Sequence, residues 1–282
     1  GGVADGDAGR AAEVAAPLPA EVRAESALSE PMVTRDYACK KGQCNRCHFR
    51  QSEVRGSATP LSDGSSEQAR VNGTYVRRTE LAAAGARILQ VGGDWWNKCG
   101  DGWVNADAIF TRLPVGVLCE DWRTGRHIVR LDAGRPLPFE EGSFDVVYTE
   151  HMFEHMLPMA GATFLREAYR VLRPGGLIRL TTPDLAKYLE GYVHRDRDPF
   201  LADHARRWPP MGKLGDPPTA ATVVNNIFRN YEHQWVYDFE EVVRTAQVAG
   251  IPAGAVRRSA RLGADLPKDL IEAVERASQL TT

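Results

Sequence analysis

The chain has no run of eighteen consecutive apolar residues, so no single helix can be read as a membrane span. Neither sign of charge dominates. Thirty-five Lys and Arg stand against 37 Asp and Glu, a net charge of −2, which argues against a protein that coats nucleic acid. Cysteine is scarce, and five in 282 residues do not fix a redox compartment. The first thirty or so residues, rich in Ala, Gly and Glu, lack a repeating apolar face, so packed structure is not expected there. What remains is sufficient for one sizeable core plus extensions, at 43% hydrophobic content. The expectation is a soluble protein, cytoplasmic or organellar after removal of a targeting peptide, since the chain starts at Gly1 rather than at methionine.

The most informative stretch is residues 87–107, RILQVGGDWWNKCGDGWVNAD. The apolar run before Gly92 predicts a buried strand. Gly92 and Gly93 permit a tight turn and a close backbone approach to a ligand, and Asp107 falls where a second strand would end, placed to hold ribose hydroxyls. By itself the glycine pair fits an ordinary turn before a helix equally well. The rest of the chain alternates short apolar runs with segments of helical period, which predicts a parallel sheet with helices. Candidate strands are Ile88–Val91, Trp103–Ala106, His127–Leu131, Phe144–Tyr148 and Leu177–Thr181. Phe164, Leu165, Ala168, Tyr169, Val171 and Leu172 recur at helical spacing, predicting an amphipathic helix that stops at Arg173-Pro174-Gly175-Gly176. In such sheets ligands sit beyond the carboxyl ends of the strands. That rule selects Gly92, Gly93, Asp94, Asp107, Asp132, Ala133, Glu150 and His151.

Further motifs follow in order: Gly102-Trp103-Val104-Asn105-Ala106-Asp107, Pro136 to Phe139, Ser143 to Asp145, Glu154-His155 and Arg170 to Gly176. Over about residues 77–250 this succession resembles the class I S-adenosylmethionine-dependent methyltransferases, in particular their type 11-like branch. The resemblance implies a Rossmann-like, doubly wound α/β fold with a mostly parallel sheet and helices on both faces. It also implies S-adenosylmethionine as cofactor. Gly92, Gly93 and Asp94 would meet its methionine part, Asp107 the ribose, and Asp132 with Ala133 the adenine edge, with Glu150 nearby. A turn-capping carboxylate is the alternative for Asp132. One departure from the family pattern falls at Gly92-Gly93-Asp94, where the third small residue of the usual Gly-x-Gly is missing and Trp95 and Trp96 follow. The cofactor site is therefore either adapted or blocked.

Methyl transfer depends mainly on alignment, with a general base needed only where the acceptor must lose a proton. Candidate bases are His151 and His233, the latter alternatively a hydrogen-bonded structural histidine. Residues 151–155, His-Met-Phe-Glu-His, also match an inverted metal-hydrolase pattern in which His151 and His155 would hold zinc on one helical face beside Glu154, although no distant third ligand stands out.

The expected organisation is an irregular, largely extended segment over 1–76 and a methyltransferase-like domain over 77–282, with an insert at about 195–235. Trp208, Met211, Phe228, Tyr231 and Trp235 would either line an acceptor pocket or anchor that insert. In the amino-terminal segment Cys39, Cys44, Cys47 and His48 could hold zinc, pair as disulfides or remain thiols. A small-molecule acceptor is expected; protein partners are assigned to the extension, and nucleic acid is disfavoured. The rival reading is a catalytically degenerate, methyltransferase-like subunit serving as a scaffold in an assembly.

Overall fold

The computed structural model describes residues 76–92, 102–109, 115–121, 126–212 and 214–258, and the backbone of 20–27. The cysteine cluster, Gly93 and Asp94 lie outside the described residues. Strands β1 (Ala20–Ala27), β2 (Ile88–Val91), β3 (Trp103–Asp107), β4 (Leu118–Asp121), β5 (Arg126–Arg130), β6 (Phe144–Glu150), β7 (Leu172–Pro183) and β8 (Val256–Arg258) form one sheet in the order β4-β5-β3-β2-β6-β7-β1-β8. Every pairing among them is parallel except β4 with β5. The described helices are α1 (Arg78–Ala83), α2 (Pro158–Val171), α3 (Leu185–Val193), α4 (Phe200–Arg207), α5 (Ala220–Arg229) and α6 (Phe239–Val248). This is the mostly parallel sheet with helices that the alternating pattern predicts and the Rossmann-like α/β architecture that the resemblance implies.

The five expected strands all form, four with ends shifted by two residues or fewer and β7 beginning five residues before the expected Leu177. Helix α2 buries Phe164, Leu165, Ala168 and Val171, as its periodicity predicts, and ends at Val171, before the expected Arg173 stop. Pro174 disfavours helical backbone in the residue before it, and β7 already begins at Leu172. Gly175 then takes φ +80°, a left-handed conformation that costs a residue with a Cβ. Strand β1 lies within the segment expected to be irregular and largely extended over 1–76, and it pairs along its full length with β7 and over Val22–Ala24 with β8. Val22 is the only large apolar residue in AEVRAESA, so no apolar stripe marks the strand; backbone pairing on both sides holds it.

Several recognised motifs hold the frame. Asp145 accepts from Arg87 Nε at 2.7 Å and from Arg173 at 3.0 Å, tying the starts of β2 and β7 to β6. Arg170 donates to the carbonyls of Leu137 and Phe139 at 2.9 and 2.8 Å, while Glu167 accepts from the Leu137 N–H at 2.9 Å. Pro136 to Phe139 is thus clamped onto α2, and Leu137 and Phe139 are fully buried.

The region at 195–235 carries helices α4 and α5, and α3, α4 and α5 share a small core of Tyr188, Leu201, Ala205, Val223, Ile227 and Val236. These residues do the anchoring, whereas Met211, Phe228, Tyr231 and Trp235 are exposed. His204 packs edge-on against Tyr188 at 5.3 Å and is buried. Burial, reinforced by the positive charges of His151 and Arg207, lowers its pKa from 6.5 to about 4. The unfolded chain therefore takes up a proton that the folded chain refuses. The stability linked to His204 is complete above pH 6.5 and is lost as pH falls towards about 4, on the order of 3 kcal/mol in all. Urea unfolding of wild type and His204→Gln at pH 7 and pH 4.5 checks this: the acid-dependent loss should shrink by about that amount in the variant, and an unchanged pH dependence refutes it.

Candidate functional site

The strand order reverses between β2 and β6, because the chain passes from β2 to β3 on one side and returns through β6 on the other. Along this edge register aligns the candidates in one row. Val91 pairs with Ala106 and with Thr149, so Asp107, Gly92 and Glu150 come next in line, and Thr181 lies opposite Glu150. The Gly92 N–H donates to the Ala106 carbonyl at 3.0 Å. Behind this row, two residues further into the sheet, Asn105, Gln90, Tyr148 and Arg179 form a second polar row, each nearly inaccessible. Sequence reading missed this row because it sits inside otherwise apolar strands; the interruption of the apolar runs at Gln90 and Arg179 was the available signal.

Gly92 takes φ +77°, and a Cβ there would lie 2.3 Å from Met152 Cγ. Only glycine fits both the backbone and the contact. Asp107 accepts from the Ile109 N–H at 3.2 Å, which folds the chain back at the end of β3. Glu150 accepts from the Tyr148 hydroxyl at 2.9 Å. Asp132 adopts the turn-capping role offered as its alternative: one oxygen accepts from the Gly134 N–H at 2.8 Å and the other from Arg135 Nε at 3.1 Å. Ala133 is half-buried within that turn.

Beyond β6 the chain does not continue as an α-helix. His151 has φ +48°, and a short 3-10 turn, Phe153–His155, follows. His151 and His155 therefore do not share a helical face, which removes the geometric basis of the inverted hydrolase motif. Glu154 is fully buried at the centre of the turn. One of its oxygens is 3.1 Å from His151 Nδ1 and 3.8 Å from His233 Nε2, and the other accepts from the Thr182 hydroxyl at 3.1 Å. Burial opposes its charge, but the hydrogen bond and charge of His151, with the charge of His233, outweigh it and hold the carboxyl below its usual pKa. An ionised Glu154 accepts only, so Nδ1 of His151 carries the proton towards it and Nε2 is the basic nitrogen of the neutral ring. The His151 side chain is 42% exposed.

His233 differs. Its side chain is 6% exposed, and Nδ1 lies 2.7 Å from the Ile227 carbonyl. Burial lowers its pKa, against the opposing pull of Glu154. The structure thus brings both candidate bases to one buried carboxylate but leaves only His151 facing outward. Glu154 organises both, and sequence reading gave it a role only within the hydrolase motif.

A mostly parallel sheet with a glycine turn and carboxylates at its reversal point is an arrangement in which a ligand lies beyond the strand ends. Comparison with known proteins finds similarity to methyltransferases. Residues 118–180 match the family model described as a methyltransferase domain. A curated protein of Mycolicibacterium smegmatis, described as a "Probable S-adenosylmethionine-dependent methyltransferase", is 31% identical over 125 residues, spanning 41% of this chain and 45% of that protein. The matched portion is thus under half of that relative's length. Among solved structures, a SAM-dependent methyltransferase from Archaeoglobus fulgidus aligns at 15% identity and TM-score 0.33 over 72% of this chain and 85% of that one. A phosphoethanolamine N-methyltransferase of Haemonchus contortus, solved with S-adenosylhomocysteine, aligns at 17% identity and TM-score 0.33 over 59% and 33%.

Proposed function

We propose that this chain transfers a methyl group from S-adenosylmethionine to a small-molecule acceptor at the row formed by Asp107, Gly92 and Glu150. The observation that carries the proposal is the alignment of that row with the point where strand order reverses. The described residues fit the cofactor. Asp107 is a carboxylate able to accept from ribose hydroxyls, Glu150 adds negative charge for a cationic ligand, and Gly92 lets the backbone pass close. We assign Gly93 and Asp94 to binding the methionine part of the cofactor.

S-adenosylmethionine, when bound, supplies a methyl group on a positively charged sulfur, displaced in line by the acceptor. The protein's part is to hold and align, and where the acceptor carries a proton, to accept it. His151 suits that role through Nε2, with Glu154 fixing the ring and stabilising the imidazolium that results. His233, being enclosed, does not reach an acceptor in this arrangement. We assign the exposed side chains Met211, Phe228, Tyr231 and Trp235 to contact with the acceptor. The scaffold reading draws no support from the relatives, and protein partners of the amino-terminal segment remain part of the proposal.

Calorimetric titration with S-adenosylmethionine and S-adenosylhomocysteine tests this. Saturable binding is expected, weakened about ten- to a hundredfold in Asp107→Ala, the scale of losing hydrogen bonds to a charged group. Folded wild type that binds neither compound would overturn the proposal.

A further inference from the structure

We propose that Glu154, His155 and His233 form a binding site for a divalent transition-metal ion, separate from the row that faces the cofactor. Their ligand atoms lie within 4.8 Å of one another. Two imidazoles and one carboxylate are a donor set suited to zinc, iron or manganese, and three protein ligands leave positions open for water or another oxygen donor.

The hydrogen bonds orient these groups for a cation. The Ile227 carbonyl can only accept, so its 2.7 Å contact assigns the proton of His233 to Nδ1. Nε2 then presents a lone pair towards Glu154 Oε1, at 3.8 Å. That separation is too long for a hydrogen bond, and in the neutral ring two acceptors face each other in a buried space. A cation between them resolves the conflict. A metal with bonds of about 2.0–2.2 Å holds its ligand atoms roughly 3–3.5 Å apart, so the pair need close by only about half an ångström. The outer contacts match those of metal sites: a backbone carbonyl fixes His233, while Thr182 and His151 hold the Glu154 carboxylate. His155 stands edge-on to His233, with ring centroids 5.0 Å apart.

Backbone geometry supplies a second observation. Among the described residues, the non-glycine positions with positive φ are His151, Tyr231 and Glu232, at 48°, 62° and 61°. All three flank the cluster, on the two segments that deliver its ligands. Those segments are joined by the N–H groups of Gln234 and Trp235, which both donate to the Glu154 carbonyl at 2.9 and 3.1 Å. Left-handed backbone at residues that ordinarily avoid it is retained where surrounding structure enforces it, commonly at sites.

The test uses the whole 282-residue chain stripped with a chelator and exchanged into chelator-free buffer, titrated with Co²⁺ by visible absorption and with Zn²⁺ by calorimetry. One equivalent is expected to bind with d–d bands and without the near-ultraviolet charge transfer of thiolate ligands. His155→Ala and Glu154→Gln should each weaken that equivalent more than about a hundredfold, beyond the usual cost of losing an outer-shell partner. A variant carrying Cys39→Ser, Cys44→Ser and Cys47→Ser should retain it. His155 is only partly buried, so its variant tests the site even if the Glu154 variant unfolds, which circular dichroism would reveal. Absence of binding, or binding that follows the cysteines and ignores His155, overturns the proposal. S-adenosylhomocysteine affinity, measured on the same stripped protein, reports separately on the methyltransferase reading.

Discussion

Replacing Gly92 with alanine is expected to weaken S-adenosylhomocysteine binding by more than about a hundredfold while the domain remains folded. Two effects combine. The left-handed backbone costs an alanine roughly 1–2 kcal/mol, and its Cβ would lie 2.3–2.4 Å from Met152 Cγ and Cβ, far inside contact distance. Overlap of that depth with the base of a side chain cannot be relieved by a rotamer change, so either β2 or the turn after β6 must move. Both border the proposed cofactor row. The overlap dominates, which a double variant can show: Met152→Gly removes both clashing atoms and should restore much of the affinity, leaving the backbone cost. Calorimetry on the single and double variants decides the matter. Wild-type affinity in Gly92→Ala would refute the role given to this turn.

The second large effect concerns Phe153, which is fully buried between α2 and the segment leading into α6. Its ring lies 4.6 Å from that of Tyr237 and 6.3 Å from that of Phe164, and Gly161 leaves the space it occupies: a Cβ there would lie 3.0 Å from the ring. Phe153→Ala should destabilise the domain by about 3–5 kcal/mol, the usual cost of emptying such a volume. It should also loosen the turn that presents Glu154 and His155, since Phe153 anchors that turn in the core. Equilibrium unfolding in urea gives the first quantity. A loss below about 1 kcal/mol would mean that the neighbouring aromatics collapse into the space and that the turn is held from elsewhere.

The motifs that make the sequence recognisable do different work from one another. Asp145, Glu167 and Arg170 join strands, helix and loop, whereas Asp107, Gly92 and Glu150 occupy the edge where a ligand would lie. Asp107, Gly92, Glu150 and Asp145 could be placed from sequence because strand ends are marked by a change from apolar run to glycine, proline or acid, whereas Glu167 and Arg170 lie within helix α2. The same logic could not separate adenine recognition from turn capping at Asp132. That distinction depends on which groups surround the carboxylate, among them the Gly134 N–H and Arg135 Nε.

Local pattern alone determined the five parallel strands from β2 to β7, helix α2 and the row of candidates at the carboxyl edge, since hydrophobic period and chain punctuation act over a few residues. Tertiary structure alone decided the rest. β1 has no apolar stripe and exists through pairing with β7 and β8, and the grouping of Glu154 with His233 spans 79 positions, 154 to 233, that no local pattern connects. The left-handed turn at His151 cancels the helical spacing of residues 151–155, and the chain that follows carries Glu154 inward to meet a histidine from beyond α5. Period and propensity report on neighbours in sequence; the meeting of a buried carboxylate with distant imidazoles depends on how the whole chain packs.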